Sequence, residues 1–213
     1  MEIIVKDLPN FGVIETKLDK NIIDNLWDLI DRAKKESKSY NSQLAGNITS
    51  SLEINDNNNS LIPIIMPMIN EYIKRFGEPY HNLRTGKFDK KFSMDTIWVN
   101  FQYENEFNPI HNHSGVFSFV IWMKIPTDHF QQKTKDIAKN SSSNLKISNF
   151  SFVYPDITGQ IREFVYKMDK EKEGTLVLFP SRLLHQVYPF YDNKEERISI
   201  SGNLGLVQKL QSQ

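Results

Sequence analysis

Six short segments with the character of β-strands dominate the second half of this 213-residue chain. They are rich in β-branched and aromatic residues, and most are joined by turns or polar stretches with no helical period. They comprise residues 96–103, 116–125, 150–154, 160–166, 174–179 and 197–204. Short strands that follow one another in this way are typical of antiparallel sandwiches and barrels. The sequence therefore predicts a mainly β fold.

The first third of the chain predicts helices that flank the sheets. Apolar residues recur with the 3.6-residue period over 22–33, after a candidate N-cap at Asp19. A second stripe covers 61–76, where Pro67 marks either the start of the helix or a kink, and Gly77 is a candidate stop. Both stripes are expected to face the core.

The chain is expected to form one domain over residues 1–213. Its helical N-terminal part covers about 1–95 and its β core about 96–206. The polar stretch 127–149 is interpreted as a long surface loop. Together with 37–60, it is a candidate lid over a substrate site.

Charge and composition exclude several classes of function. Lys and Arg total 26, as do Asp and Glu, so the net charge is zero. A protein that neutralises many phosphates usually has a basic surplus, so there is no strong nucleic-acid signal. The absence of cysteine excludes disulfides, thiolate nucleophiles and Cys-ligated metals. No apolar run is long enough to span a membrane and no leader-like N-terminus is visible, so a cytoplasmic location is expected.

Three of the five histidines form a candidate metal site. His111 and His113 are separated by one residue, so in an extended chain both imidazoles point to the same face. A third histidine, His185, follows a predicted strand. Neutral imidazole is the commonest protein metal ligand, and three such groups leave coordination positions open for other molecules. The alternative is that His111 and His113 are surface residues at the end of a strand.

The last predicted strand carries a candidate anion site. Arg197 and Ser199 share one face of this strand, whereas Ile198 and Ile200 lie on the other. A guanidinium that points into a barrel needs a partner, and a carboxylate accepts its hydrogen bonds in pairs. The alternative is a solvent-facing arginine paired with a neighbouring glutamate.

The two candidate sites together resemble the iron(II)/2-oxoglutarate-dependent dioxygenases. That family combines a histidine and an acid separated by one residue, a distal histidine, and Arg-x-Ser about a dozen residues later. The closer resemblance is to a 2OG-Fe(II) oxygenase subgroup with an H-x-H motif that is common in phages and marine bacteria. The matching motifs are Trp98-Val99-Asn100, Asn108-Pro109-x-His111-x-His113, Gly174…Leu178-Phe179-Pro180-Ser181…His185 and Glu196-Arg197-Ile198-Ser199-Ile200-Ser201-x-Asn203.

The resemblance implies a double-stranded β-helix, or jelly-roll, core with helices packed along one side. It implies Fe(II) at the mouth of the barrel and 2-oxoglutarate chelating that iron, with the far carboxylate of 2-oxoglutarate on Arg197 and Ser199. In related oxygenases, an asparagine and a second polar residue on the strand before the histidine–acid pair also contact 2-oxoglutarate. Asn100 and Gln102 occupy the corresponding positions.

One position departs from the family pattern, because His113 stands where the family has a carboxylate. His113 is a metal ligand in one interpretation, and the site then has three histidines. In a second, it lies behind the ligands and hydrogen-bonds a water or the substrate. In a third, the chain is a catalytically altered member. The i, i+2 geometry favours ligation.

The resemblance thus implies an oxidoreductase that uses Fe(II), 2-oxoglutarate and O₂ to hydroxylate a substrate, with release of succinate and CO₂. One alternative is a three-histidine iron dioxygenase that does not use 2-oxoglutarate, and another is a jelly-roll binding module without catalysis. Trp98, Trp122 and Phe117 are candidates to line the pocket. The sequence identifies neither the primary substrate nor the oligomeric state.

Overall fold

The chain forms a two-sheet β structure flanked by helices. A computed structural model describes residues 10–79, 92–139 and 146–206, together with Ile4. In chain order the strands and α-helices of these ranges are β1 (Ile14–Lys17), α1 (Lys20–Glu36), β2 (Ser50–Glu53), α2 (Ile62–Phe76), β3 (Phe92–Gln102), β4 (Asn108–His111), β5 (Phe117–Lys124), α3 (His129–Gln132), α4 (Asp136–Lys139), β6 (Phe150–Pro155), β7 (Ile161–Tyr166), β8 (Thr175–Pro180), β9 (Leu184–Val187) and β10 (Arg197–Leu206).

The strands form two antiparallel sheets. The larger sheet has the order β1-β8-β5-β10-β3-β2 and the smaller one β4-β9-β6-β7. From β3 onward the chain passes repeatedly from one sheet to the other, so strands adjacent in sequence often lie in opposite sheets. This is the jelly-roll arrangement, and the predicted fold class, mainly β with flanking helices, is confirmed.

Alternation along the strands of the larger sheet separates two cores. Val99 of β3 and Ile200 of β10 face the helices, where they pack in one cluster with Ile30 of α1 and Ile69 of α2. Complete burial of such a side chain stabilises the fold by about 1.5–3 kcal/mol. The opposite face points between the sheets, where Trp122 packs with residues of the smaller sheet. The inner face therefore receives the polar residues of β3 and β10 that the sequence marked as candidates.

The predicted helices are present with altered boundaries. Asp19 is the N-cap residue of α1, although its side chain makes no capping hydrogen bond. Helix α2 begins at Ile62, so Pro67 lies inside it. The helix ends at Phe76 and is capped by Gly77, whose φ of 83° suits glycine because it has no Cβ to clash. No helix among the described residues is both long and apolar enough to cross a membrane.

Two predictions about the regions outside the six strands were wrong. The N-terminal part is not purely helical, since β1 and β2 are edge strands of the larger sheet. Residues 127–149 are not a surface loop, because the described part of this stretch contains α3 and α4 and buries several side chains.

Candidate active site

Three imidazoles converge where the smaller sheet pairs β4 with β9. His111, the last residue of β4, lies directly opposite His185 of β9 in the antiparallel register. His113 follows two residues later and turns back toward both. The ring centroids are 4.3 Å apart for His111 and His185, 5.1 Å for His111 and His113, and 4.9 Å for His113 and His185. One nitrogen from each ring lies within 4.8 Å of the others.

Backbone carbonyls determine which ring nitrogens are available. Nδ1 of His111 lies 2.7 Å from the carbonyl oxygen of Pro109, and Nδ1 of His185 lies 2.9 Å from that of Leu183. A carbonyl only accepts, so both Nδ1 atoms carry the proton and both Nε2 atoms keep a lone pair. Nε2 of His113 lies 3.1 Å from Nε2 of His185 and therefore donates to it in the metal-free protein.

Burial keeps the three imidazoles uncharged at neutral pH. Desolvation, together with a smaller contribution from the nearby His111, lowers the pKa of His113 to about 4. Burial also lowers the pKa of His111 and, with His111 and His113 beside it, that of His185. Only the neutral ring offers a lone pair, so this group is poised to bind a cation without first losing protons.

Arg197 lies at the other end of the same cavity and is 3% exposed. Nη2 donates to the carbonyl oxygen of Ser148 at 2.6 Å and to its Oγ at 2.9 Å. Weaker contacts join Nη2 to Oγ1 of Thr127 at 3.4 Å and Nη1 to Oε1 of Gln102 at 3.3 Å. All four acceptors are uncharged. Burial lowers the pKa of Arg197 to about 10, so the side chain stays cationic at neutral pH.

The guanidinium has spare capacity to bind an anion. Its Nε is buried and has no hydrogen-bond partner among the described residues, and no carboxylate of those residues pairs with it. The predicted alternative, an ion pair with a neighbouring glutamate, is not what the structure shows, because Glu195 and Glu196 pair with Lys124 instead. A buried cation without a countercharge is costly, so the site favours an anionic ligand.

The other sequence-predicted residues of this site also lie on the cavity wall. Ser199 and Asn100 face each other across the β10–β3 pair, and Oδ1 of Asn100 accepts a hydrogen bond from Ser51 at 2.8 Å. Gln102 is more fully engaged, since its Nε2 donates to the carbonyl oxygen of Glu106 at 2.6 Å while its Oε1 accepts from Arg197.

The cavity that joins the two ends has a volume of about 180 Å³. This is smaller than the roughly 300 Å³ at which pockets for drug-sized ligands begin. Trp98 and Trp122 line it as predicted, but Phe117 does not, because alternation places it in the helix-side core. The ring of Trp98 lies 5.6 Å from that of His113 and stacks on Tyr40 at 5.2 Å.

Sequence reasoning missed two residues that support the site and misplaced one histidine outside it. Thr127 and Ser148 contact Arg197 from the stretch that was interpreted as a surface loop, and no local pattern marks either one. His129 was expected on the surface, but it is buried, with Nδ1 3.6 Å from a carboxylate oxygen of Asp169. His81 lies outside the described residues.

The residues present fit both an iron ion and 2-oxoglutarate. Two ligands at right angles around a metal with bonds of about 2.1 Å lie roughly 3 Å apart, close to the separation of Nε2 in His113 and His185. Three ligands from one side leave positions for a chelating molecule. The unpartnered buried Nε of Arg197 matches the far carboxylate of that molecule.

Comparisons with known proteins identify a family and a shared fold. Residues 96–203 match the model of the family described as "Putative 2OG-Fe(II) oxygenase". A prolyl-4-hydroxylase from Pseudomonas putida shares the fold, with a TM-score of 0.50 and 13% identity over 93% of this chain and 94% of that one. A Trichoplax adhaerens prolyl hydroxylase, solved with a hypoxia inducible factor peptide, aligns with a TM-score of 0.49 and 14% identity over 95% of this chain and 88% of that one. No curated protein matches. The chain belongs to the 2OG-Fe(II) oxygenase family and is therefore an oxidoreductase that uses Fe(II), 2-oxoglutarate and O₂.

Proposed function

We propose that the Nε2 atoms of His111, His113 and His185 hold the iron, and that Arg197 binds the far carboxylate of 2-oxoglutarate. The observation that supports this most strongly is the pairing of two unlike groups in one cavity. Three uncharged imidazoles share a point at one end, and a buried cation without a countercharge lies at the other. A metal ion and a dianion that bridge the two ends satisfy both.

When bound, Fe(II) and 2-oxoglutarate would supply the oxidative chemistry, in which one atom of O₂ enters the succinate formed with CO₂ from 2-oxoglutarate and the other hydroxylates the substrate. The chain's own residues bind and orient. The carbonyls of Pro109 and Leu183 hold the rings of His111 and His185 with Nε2 toward the metal position. Arg197 is an anchor and moves no proton, because its pKa of about 10 keeps it charged.

We assign His113 as a ligand, in the place where the family has a carboxylate. The contact of its Nε2 with that of His185, at 3.1 Å, supports this assignment. On metal binding, the proton that Nε2 of His113 carries in the metal-free protein moves to Nδ1, so the ring stays neutral. A third neutral ligand in place of a carboxylate makes the metal position more positive by one charge.

Ser199 and Asn100 are proposed as further contacts to 2-oxoglutarate, since both line the cavity beside Arg197. Gln102 is proposed to position Arg197 and not to contact 2-oxoglutarate, because its amide oxygen accepts a hydrogen bond from the guanidinium. The substrate is proposed to reach the iron from the mouth, where Leu44 and Ala45 form part of the wall.

We also propose that residues 1–213 form a single domain, because β1 and β2 hydrogen-bond into the same sheet as the strands of the β core. A cytoplasmic location remains a prediction from the sequence, and the resemblance to a subgroup common in phages is compatible with a phage origin without establishing one.

The test is calorimetric titration of the metal-free protein with Mn(II), followed by 2-oxoglutarate, together with a succinate assay under Fe(II) and air. The expected result is binding of one Mn(II), then of one 2-oxoglutarate only after the metal. His185→Ala is expected to abolish both, and His129→Asn serves as the matched histidine control. Mn(II) binding that survives His185→Ala would contradict the proposed metal site.

A further inference from the structure

Arg197 is held in place mainly by Ser148, a residue that has no proposed contact with the iron or with 2-oxoglutarate. Ser148 is fully buried and supplies two of the four acceptors, its carbonyl oxygen and its Oγ, both to Nη2. These are the two shortest contacts of the guanidinium. Because both come from one residue and neither is charged, Ser148 positions the cation without neutralising it.

The backbone of Ser148, whose carbonyl oxygen accepts from Arg197, has an unusual conformation. Its φ is 64°, in the left-handed region that side chains other than those of Gly, Asn and Asp seldom adopt. Such a conformation persists only where the surroundings hold it. The N–H of Ser148 donates to the carbonyl oxygen of Pro189 at 2.9 Å, and its Oγ bonds Oγ1 of Thr127 at 2.8 Å.

The neighbouring residue, Asn149, strengthens one of these attachments and adds another. The N–H of Tyr188 donates to the carbonyl oxygen of Asn149 at 2.9 Å, and the N–H of Met168 donates to Oδ1 of Asn149 at 2.9 Å. The turn is thus tied to three separate segments of the chain. Its carbonyl at Ser148 points at Arg197 because these bonds leave the backbone little freedom to rotate.

We infer that Ser148 is a positioning residue that sets the preference of this oxygenase for a dicarboxylate. This inference rests on the proposed function, because it explains how Arg197 is held in place while its positive charge stays unpaired. A carboxylate at position 148 would satisfy the guanidinium from within the protein, and the far carboxylate of 2-oxoglutarate would then lose its partner. A neutral acceptor avoids this competition.

The decisive comparison is Ser148→Asp against Ser148→Asn. The two new side chains have nearly the same shape, and both tolerate a positive φ, so they differ mainly in charge. The probes are 2-oxoglutarate and pyruvate, titrated calorimetrically into the Mn(II)-loaded protein. Pyruvate keeps the 2-oxo acid group that meets the metal but lacks the far carboxylate.

Ser148→Asp is expected to weaken 2-oxoglutarate binding about 100-fold or more and to leave pyruvate binding unchanged within about threefold. Ser148→Asn is expected to weaken 2-oxoglutarate binding by about tenfold or less, and Ser148→Gly, which keeps the carbonyl and suits the backbone, by about threefold or less. A merely structural role for Ser148 would weaken both ligands together.

Equal losses of 2-oxoglutarate binding in the Asp and Asn variants would overturn the inference, as would a loss of pyruvate binding in parallel. Wild-type protein that binds Mn(II) but neither acid would instead refute the proposed function itself. Thermal unfolding shows whether each variant folds. If Ser148→Asp does not, Thr127→Asp against Thr127→Asn places the same charge beside Nη2 from the other side, with the same expected difference between the two acids.

Discussion

The two ends of the cavity are built in opposite ways. At the histidine end, each supporting carbonyl lies two residues before the ring that it orients, Pro109 for His111 and Leu183 for His185. At the arginine end, the supporting residues Gln102, Thr127 and Ser148 lie 95, 70 and 49 positions away from Arg197. His111 and His185 are thus oriented by carbonyls of their own chain segments, whereas Arg197 is oriented by segments that are distant in sequence.

The two ends also differ in charge and in what disturbs them. The imidazoles are neutral because burial lowers their pKa, and acid reverses this state. The guanidinium stays charged over the whole physiological range. From this comparison we expect metal binding to depend little on the arginine end, and each of the following experiments perturbs a single end of the cavity.

The largest effect is expected from Arg197→Met. Loss of a buried cation that pairs with a carboxylate typically costs 2–5 kcal/mol, so 2-oxoglutarate binding should weaken about 100-fold or more. Mn(II) binding should change by less than about threefold, because the imidazoles rely on local carbonyls. Calorimetry measures both, with Arg75→Met on the exposed face of α2 as the control. A parallel loss of Mn(II) affinity would show that the two ends are not independent.

A smaller effect is expected from removal of the third imidazole. His113→Ala should weaken Mn(II) binding about tenfold or more, because two protein ligands then replace three, whereas His113→Asp should retain binding. Titration with Mn(II) or Co(II) measures both variants. If His113→Ala binds the metal as tightly as the wild type, His113 lies behind the ligands and the second interpretation of the sequence is correct.

The smallest effect concerns pH. In the unfolded chain His113 takes up its proton near pH 6.5, but in the folded protein only near pH 4. Between these values the unfolded state binds more protons, so the free energy of unfolding of the metal-free protein falls as the pH falls. Replacement of His113 should therefore make the free energy of unfolding depend less steeply on pH in this range, by about 1 kcal/mol per pH unit or less.

The measurement is urea unfolding of the wild type and of His113→Gln in a chelator at pH 7, 6 and 5. Above pH 6.5 the two proteins should respond to pH in the same way. An unchanged slope in His113→Gln below pH 6.5 would show that His113 titrates normally in the folded state and that burial does not keep its ring neutral.

The sequence predicted the long strands well and the short ones poorly. The predicted strands 96–103 and 197–204 show clear alternation, and apart from Tyr103 both lie in strands of the larger sheet. β1, β2, β4 and β9 have only four residues each, too few for a period to emerge. Such strands exist because a neighbour already in place supplies their hydrogen bonds, and that neighbour is distant in sequence.

The stretch 127–149 shows why polar composition misled the prediction. Gln132 is buried because its side-chain amide bonds both the N–H and the carbonyl oxygen of Tyr191, at 2.9 and 2.8 Å. Ser148 is buried because Arg197 takes up its oxygens. Polar groups enter a core when partners are present there, and those partners come from segments that no local window contains.

By itself, the sequence determined which residues share a strand face, and so it identified the pair His111 and His113 and the alternation that directs Arg197 inward. It could do so because side-chain direction along a strand is a local property of the backbone. Only the tertiary structure brought His185 opposite His111 and enclosed Arg197 with neutral oxygens. Closure of two sheets decides such contacts, and the hydrogen bonds and burial that stabilise them form only once distant segments have met.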